Sequence, residues 1–362
     1  MVVEAAVLAE ADWPTSCWVD AMFDHLNFQD IVAAQSHCLQ GEGFTERQAR
    51  FLTTVMAHSG VFVERQYCRF AGVAHGQKSH DFIHRLVTKG LAREERPGQL
   101  HHGRYFHVHH KRLYSLIGQA NNRHRRRAPR SRMVERLMLL DAVLDDRDMV
   151  WLGTEADKTR YFLTRLAEYR FRPHELPHLA FGSGARQTLR LFPDKLPIGI
   201  HALEDRYVFT YLVTRASTAD FRTFLVRHHH MWRMLDRWTL RVLVPRPLAT
   251  STQAYRHAFQ EQLRQPLGLS DGKDLEWLFE QRKRAEQETG FTLDARAREA
   301  AERYRGPRFE ALEKAWRTHV AYAVATVYCN GLDHQFVRGQ AAVEFVPMTR
   351  QYLHLAHLVG TA

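Results

Sequence analysis

The stretch DFIHRLVTKGLAREERPG, Asp81–Gly98, followed after Gln99-Leu100-His101-His102 by GRYFHVHHKRLYSLIG, Gly103–Gly118, decides how this chain is read. Phe82, Leu86 and Ile83 or Val87 recur at helical spacing, and Gly90 stops the helix. Two runs of strand composition follow, Leu91–Glu95 and Tyr105–His110. The connection from Arg96 to Gly103 carries Pro97-Gly98 and predicts a hairpin. The helix itself reads from Gln77 to Lys89. Its side away from the apolar stripe carries Gln77, Lys78, Ser79, Asp81, His84 and Arg85. Forked or flexible polar groups of this kind reach base edges and phosphates when a helix enters a major groove.

Upstream, Thr45 is placed to cap a helix whose apolar positions include Phe51, Leu52 and Val55, and Gly60 ends it. A shorter helix, Val63–Phe70, turns Tyr67 and Phe70 inward. The tight connection Ala71-Gly72-Val73-Ala74 follows, with Gly72 free to take positive φ. Downstream, Arg96, Arg104 and Lys111 lie at the hairpin and the helix that closes it, where sugar–phosphate or the minor groove would pass.

Charge points the same way. Residues 45–132 hold 18 Lys and Arg against 5 Asp and Glu, while the rest of the chain is nearly balanced at 33 against 35. The whole excess of the +11 chain thus sits in one quarter of it, which predicts a polyanionic partner. The patch is not a single amphipathic helix with an aromatic face, so nucleic acid is favoured over membrane lipid. No apolar run reaches the roughly 20 residues of a membrane span. The acidic residues Met1–Trp13 lack a basic n-region, so no signal peptide is expected there. The cysteines, Cys17, Cys38, Cys68 and Cys329, form no CxxC pair, which fits a reducing, cytoplasmic setting and argues against a zinc ribbon.

Taken in order, the elements of residues 45–118 resemble winged helix-turn-helix regulators: recognition helix, KGL junction, wing and closing helix. The resemblance implies a sequence-specific reader of duplex DNA. The Arg-rich run after it, with Arg125, Arg126 and Arg127, has no large apolar residue and reads as an exposed linker that adds phosphate contacts.

Further along, strand candidates Thr188–Ile200 and Tyr207–Arg215 precede a helix, Ala219–Asp236, and a strand, Trp238–Pro245. This order, with Pro193-Asp194 on the first strand, resembles the restriction-endonuclease-like core that follows a winged helix in replication–relaxation-like proteins of mobile elements. The resemblance implies Mg²⁺ held by an acid on each of two strands, beside a Lys. Asp194 suits the first place, but the second strand offers only Leu212 and Thr214. A non-catalytic domain for dimerisation or partner sensing is therefore expected. His228-His229-His230 cannot converge on one ion, because consecutive helical residues diverge; one buried and two exposed histidines are expected. The wing histidines His101, His102, His107, His109 and His110 suit phosphate contact or pH-dependent charge. Gly182-Ser183-Gly184 lacks the Lys and Ser/Thr of a P-loop.

The expectation is an α+β protein with no catalytic residue, metal or cofactor: an N-terminal extension (1–44), a winged helix-turn-helix (45–120), a basic linker (121–132), a degenerate nuclease-like α/β domain (133–250), and a helical region ending in a strand near Ala342–Pro347 (251–362). Its expected partners are double-stranded DNA, a second copy of itself, and RNA polymerase or another regulator. The expected role is transcriptional regulation of an integrative or conjugative element. A replication or relaxosome accessory protein is the alternative, with a metal-dependent nuclease behind it.

Overall fold

A computed structural model of the chain describes residues 28–96, 104–146, 148–169, 171–182, 188–201, 204–288, 290–319, 331–350 and 352. His101 and His102 of the expected wing, most of the N-terminal extension, Cys17 and Cys329 lie outside the described residues. The architecture is mixed α+β, with one five-stranded mixed sheet and two small antiparallel sheets.

The N-terminal module contains α1 (Phe28–Gln40), α2 (Glu46–His58), β1 (Val61–Phe62), α3 (Glu64–Ala71), α4 (Gln77–Thr88), β2 (Ala92–Glu95), β3 (Tyr105–Val108) and α5 (Lys111–Leu116). Thr45 begins α2 with a capping box: its Oγ1 accepts from Gln48 N, and Gln48 Oε1 accepts from Thr45 N. Gly72 closes α3 in the left-handed conformation, at φ 63°. The three strands pair antiparallel in the order β1-β3-β2. Phe51, Phe62, Tyr67, Phe82 and Phe106 fill the core between helices and sheet, with Tyr67 and Phe82 stacked at 4.2 Å.

The stretch read as an exposed linker is packed instead. Arg123–Arg125 form a 3-10 turn in which His124 is buried and its carbonyl meets His107 Nε2 at 2.8 Å. Gly60, at φ 73°, permits this approach, since a Cβ there would stand 2.5 Å from that carbonyl oxygen. Buried polar groups of neighbouring elements, absent from any local apolar pattern, hold the run down.

Helix α6 (Arg130–Asp145) comes next and belongs to two cores. Leu140 and Leu144 join the N-terminal core, while Met133, Val134, Leu137 and Met138 pack with Leu212 and Leu243 of the large sheet. Asp141, buried on this helix, accepts a forked pair of hydrogen bonds from Arg65, both at 3.0 Å, and further ones from Gln66 and Tyr352.

The second module holds β4 (Val150–Leu152), α7 (Glu155–Arg165), β5 (His178–Phe181), β6 (Thr188–Leu191), β7 (Ile198–His201), β8 (Arg206–Leu212), α8 (Ala219–Arg233) and β9 (Trp238–Pro245). It continues through α9 (Thr252–Phe259), α10 (Leu269–Gln287), α11 (Ala295–Arg303), α12 (Pro307–His319), α13 (Gly331–Val337) and β10 (Ala341–Met348). The sheet order is β10-β9-β8-β7-β4. β4 pairs with β7 and β7 with β8 antiparallel, and β8 pairs with β9 and β9 with β10 parallel. Parallel neighbours need a crossover, supplied between β8 and β9 by α8. Trp232 of α8 stacks on Trp238 of β9 at 4.6 Å. The outer side of α8 is covered too: Val226 packs with Leu275, Leu278, Phe279, Leu312 and Trp316 of α10 and α12.

Two sequence expectations change here. The single strand read over 188–200 is two strands in different sheets, because β6 pairs with β5 and only β7 joins the main sheet. Phe192 and Lys195 both take positive φ, which turns the chain sharply around Pro193-Asp194. The histidine triplet is also more buried than expected, with His228 and His229 inside and His230 half-buried against Glu175 and Phe171. Packing on both sides of α8 leaves no solvent face for two of them. No helix among the described residues is long and apolar enough to cross a membrane.

Candidate nucleic-acid interface

Helix α4 is seated by Phe82, Ile83 and Leu86, all buried. Gln77, Lys78, Asp81 and His84 stand exposed on its other side, with Gln77 Nε2 donating to Asp81 Oδ1 at 2.6 Å. Lys78 and His84 thus come from the sequence to the surface as read.

Ser79 does not. It is fully buried, and its hydroxyl donates to Glu64 Oε1 at 2.7 Å and lies 2.8 Å from the Gly76 carbonyl, so it braces the start of α4 and cannot reach a groove. Arg85 is half-buried. Its guanidinium donates to the Gly43 carbonyl and Gln48 Oε1 and lies over the Phe44 ring at 4.7 Å, fastening α4 to the capped start of α2.

Most of the remaining predicted cations are engaged by local acceptors. Arg96 donates to Glu94 at 2.7 Å, Arg104 to Glu64 at 3.0 Å, Arg127 to Glu95 at 3.0 Å, and Arg125 to the Ala120 carbonyl. Arg96 and Arg127 are largely exposed in their pairs, and such surface pairs are weak enough to be exchanged for phosphate. Lys111, at the start of α5, and Arg126 are exposed. His107 is buried on β3, which holds its imidazole below the usual range, so it does not serve as a surface charge. His109 is also lowered, by burial and then by Arg93, whereas His110 lies exposed.

A second concentration of positive charge was hidden in the sequence. Arg123 donates to the Lys195 carbonyl at 3.1 Å, which brings the 3-10 turn against the turn after β6. Burial lowers Arg123 to about 9, and Arg136, Arg132 and Arg190 push it the same way. Lys195 falls to about 8, by burial first and then by Arg123, Arg190 and Arg132. Arg190 and Lys195 lie in the charge-balanced part of the chain, and no local pattern tells that they meet the arginine-rich run. Cations that raise one another's free energy in this way attract an anion.

The nuclease-like position has a different character. Asp194 sits in the turn before β7 and not on a strand, where Arg227 Nη1 donates to it at 2.8 Å. The space between Lys158, Asp194, Thr210 and His228 is about 10 Å³, the size of one water at most. Lys158 is fully buried, which lowers it to about 7, and its Nζ donates to the Leu196 carbonyl. Asp194 Oδ2 lies 4.0 Å from His228 Nδ1 beside this space, and among the described residues no second carboxylate lines it.

Glu64, at the start of α3, is the acidic centre beneath α4. It takes hydrogen bonds from Ser79 and Arg104 and lies beside His75 and His80. Burial raises its pKa, but these donors and charges outweigh that and hold it below the usual carboxylate range. No protein-family model, curated protein or solved structure matches this chain.

Proposed function

We infer that the chain is a sequence-specific double-stranded DNA-binding regulator whose α2–α3–α4 unit and β1-β3-β2 sheet form a winged helix-turn-helix. One observation carries this reading: α4 is anchored by a single apolar stripe and offers Lys78, Gln77 and His84 beside a hairpin rooted by Arg96 and Arg104. A helix so placed suits a major groove, and the hairpin suits the adjoining backbone. The localised basic excess, which Arg190 and Lys195 join at Arg123, supports a polyanion as the partner.

In this reading the second module is a degenerate restriction-endonuclease-like core, in agreement with its antiparallel β4-β7-β8 and parallel β8-β9-β10. Asp194 Oδ1 is paired with Arg227, and the space beside the carboxylate is lined by Lys158, Thr210 and His228 with no second carboxylate among the described residues, a poor set for a hard divalent cation. The module serves assembly, as a homodimer reading paired half-sites, or contact with RNA polymerase or another regulator. Regulation of a mobile element follows from the sequence resemblance alone.

Genome-wide mapping of bound DNA tests the reading, followed by footprints on a recovered site. Lys78→Ala and His84→Ala are expected to weaken the specific footprint at least about tenfold, the loss of roughly 1.4 kcal/mol from a base-edge or phosphate contact. Footprints unchanged in both variants would move the recognition surface elsewhere. Plasmid cleavage with Mg²⁺ that disappears in Asp194→Ala would overturn the non-catalytic assignment.

A further inference from the structure

The geometry points to a site for a divalent transition-metal ion of the zinc type, held by Glu64, His75 and His80 where α3, the connecting turn and α4 meet. His75 Nε2 lies 3.1 Å from Glu64 Oε2, and His80 Nε2 lies 3.3 Å from Glu64 Oε1. The three ligand atoms all fall within 4.8 Å of one another. In a tetrahedral site with bonds of about 2.0–2.1 Å, neighbouring donor atoms stand roughly 3.3 Å apart. Each contact matches that length but to a different oxygen of Glu64, so with one oxygen as ligand one edge is already close to length and the other donors stand within 4.8 Å. The imidazole rings approach at right angles, with centroids 5.0 Å apart, so both nitrogens address the carboxylate without stacking.

The donor set suits such an ion. Two imidazoles and a carboxylate favour zinc and its neighbours over magnesium or calcium, which prefer oxygen alone. Glu64 is buried and oriented from behind by the Ser79 hydroxyl, as an outer-shell partner orients a metal-binding carboxylate. His75 and His80 are exposed, which leaves room for water at the open position.

Arg104 is the competitor. Its guanidinium donates to Glu64 Oε2, the oxygen nearest His75, and its side chain is 38% exposed and so able to swing outward. An ion on Glu64 would release Arg104 at the root of the hairpin. A regulatory consequence follows that rests on the DNA-binding reading: zinc frees a cation for phosphate and joins α3 to α4, and so tightens DNA binding.

The site is tested on the full chain without DNA, by titrating Zn²⁺ against a chromophoric chelator and recording Co²⁺ absorption. The expected result is one bound equivalent, weakened at least tenfold in His75→Ala and in His80→Ala and tightened in Arg104→Gln, with circular dichroism of the metal-free variants unchanged. No uptake by the unaltered chain, or equal uptake by the His75→Ala/His80→Ala double variant, would overturn the site. Binding to a mapped DNA fragment is then compared with and without Zn²⁺, where tightening is expected. Equal DNA affinity in both conditions, with zinc bound, overturns the coupling. Failure to bind any fragment in either condition counts against the DNA reading, while zinc uptake by the free chain still decides the site.

Discussion

His58, His228 and His229 are buried without charge. Burial, and then the nearby Lys158, lowers His58 to about 3; burial lowers His228 to about 4 despite the opposing pull of Asp194; burial and then Arg233 and His230 lower His229 to about 3. In the unfolded chain each titrates near 6.5, so protons bind there first. Stability is therefore full above that value and is lost as pH falls towards the folded-state values. Each histidine contributes a slope of at most about 1.4 kcal/mol per pH unit, or roughly 2 kcal/mol lost by about pH 5. Urea midpoints are expected to fall steadily below about pH 6.5. His229→Leu, which puts an apolar side chain of similar bulk in its place, should flatten that slope by about one proton. A slope identical in the variant would show that His229 is not held neutral. His228 and His229 were visible in the sequence at once, but their burial was not, since it depends on elements packed on both sides of α8.

At the scale of elements, α4 shows how far a helical pattern can be read. Period and composition separate its apolar stripe from its polar side, because both are local properties of the helix. The destination of each polar side chain is not local. Ser79 turns under the helix to Glu64, and Arg85 reaches back to Gly43 and Gln48 at the capped start of α2. Arg85→Ala is therefore expected to lower stability by about 1–3 kcal/mol, through lost hydrogen bonds and the contact with Phe44, while the DNA affinity of the folded fraction changes little. Chemical denaturation beside a binding titration checks this. Unaltered stability together with lost binding would return Arg85 to the DNA-contacting face.

For the whole molecule, α6 is the decisive element. One helix gives Leu140 to the N-terminal core and Leu137 to the cluster against the large sheet, and its Asp141 is held by Arg65, Gln66 and Tyr352 from either end of the chain. The two modules share buried surface and are expected to unfold as one cooperative unit. Leu137→Ala should cost about 2–5 kcal/mol and shift a single calorimetric transition downward. Two separated transitions, only one of them displaced, would show that the modules fold independently. A sequence boundary drawn at residue 133 assigns every buried position of α6 to the second module, because a helix with apolar residues on most of its circumference does not announce which neighbours will bury them.

By itself the sequence determined the helices and the two hairpin strands of residues 45–118, the final strand, and the concentration of positive charge in one quarter of the chain, though not the short β1 that joins the hairpin in a sheet. Helical and strand periodicity, capping residues and net charge act over a few neighbouring positions, so they are legible in one dimension. Tertiary structure alone decided that 121–132 packs down, that Asp194 turns to Arg227, that Arg190 and Lys195 join the arginine-rich run, and that Glu64, His75 and His80 converge. Each of these depends on side chains brought together by packing, where desolvation and hydrogen bonding between distant residues set the outcome.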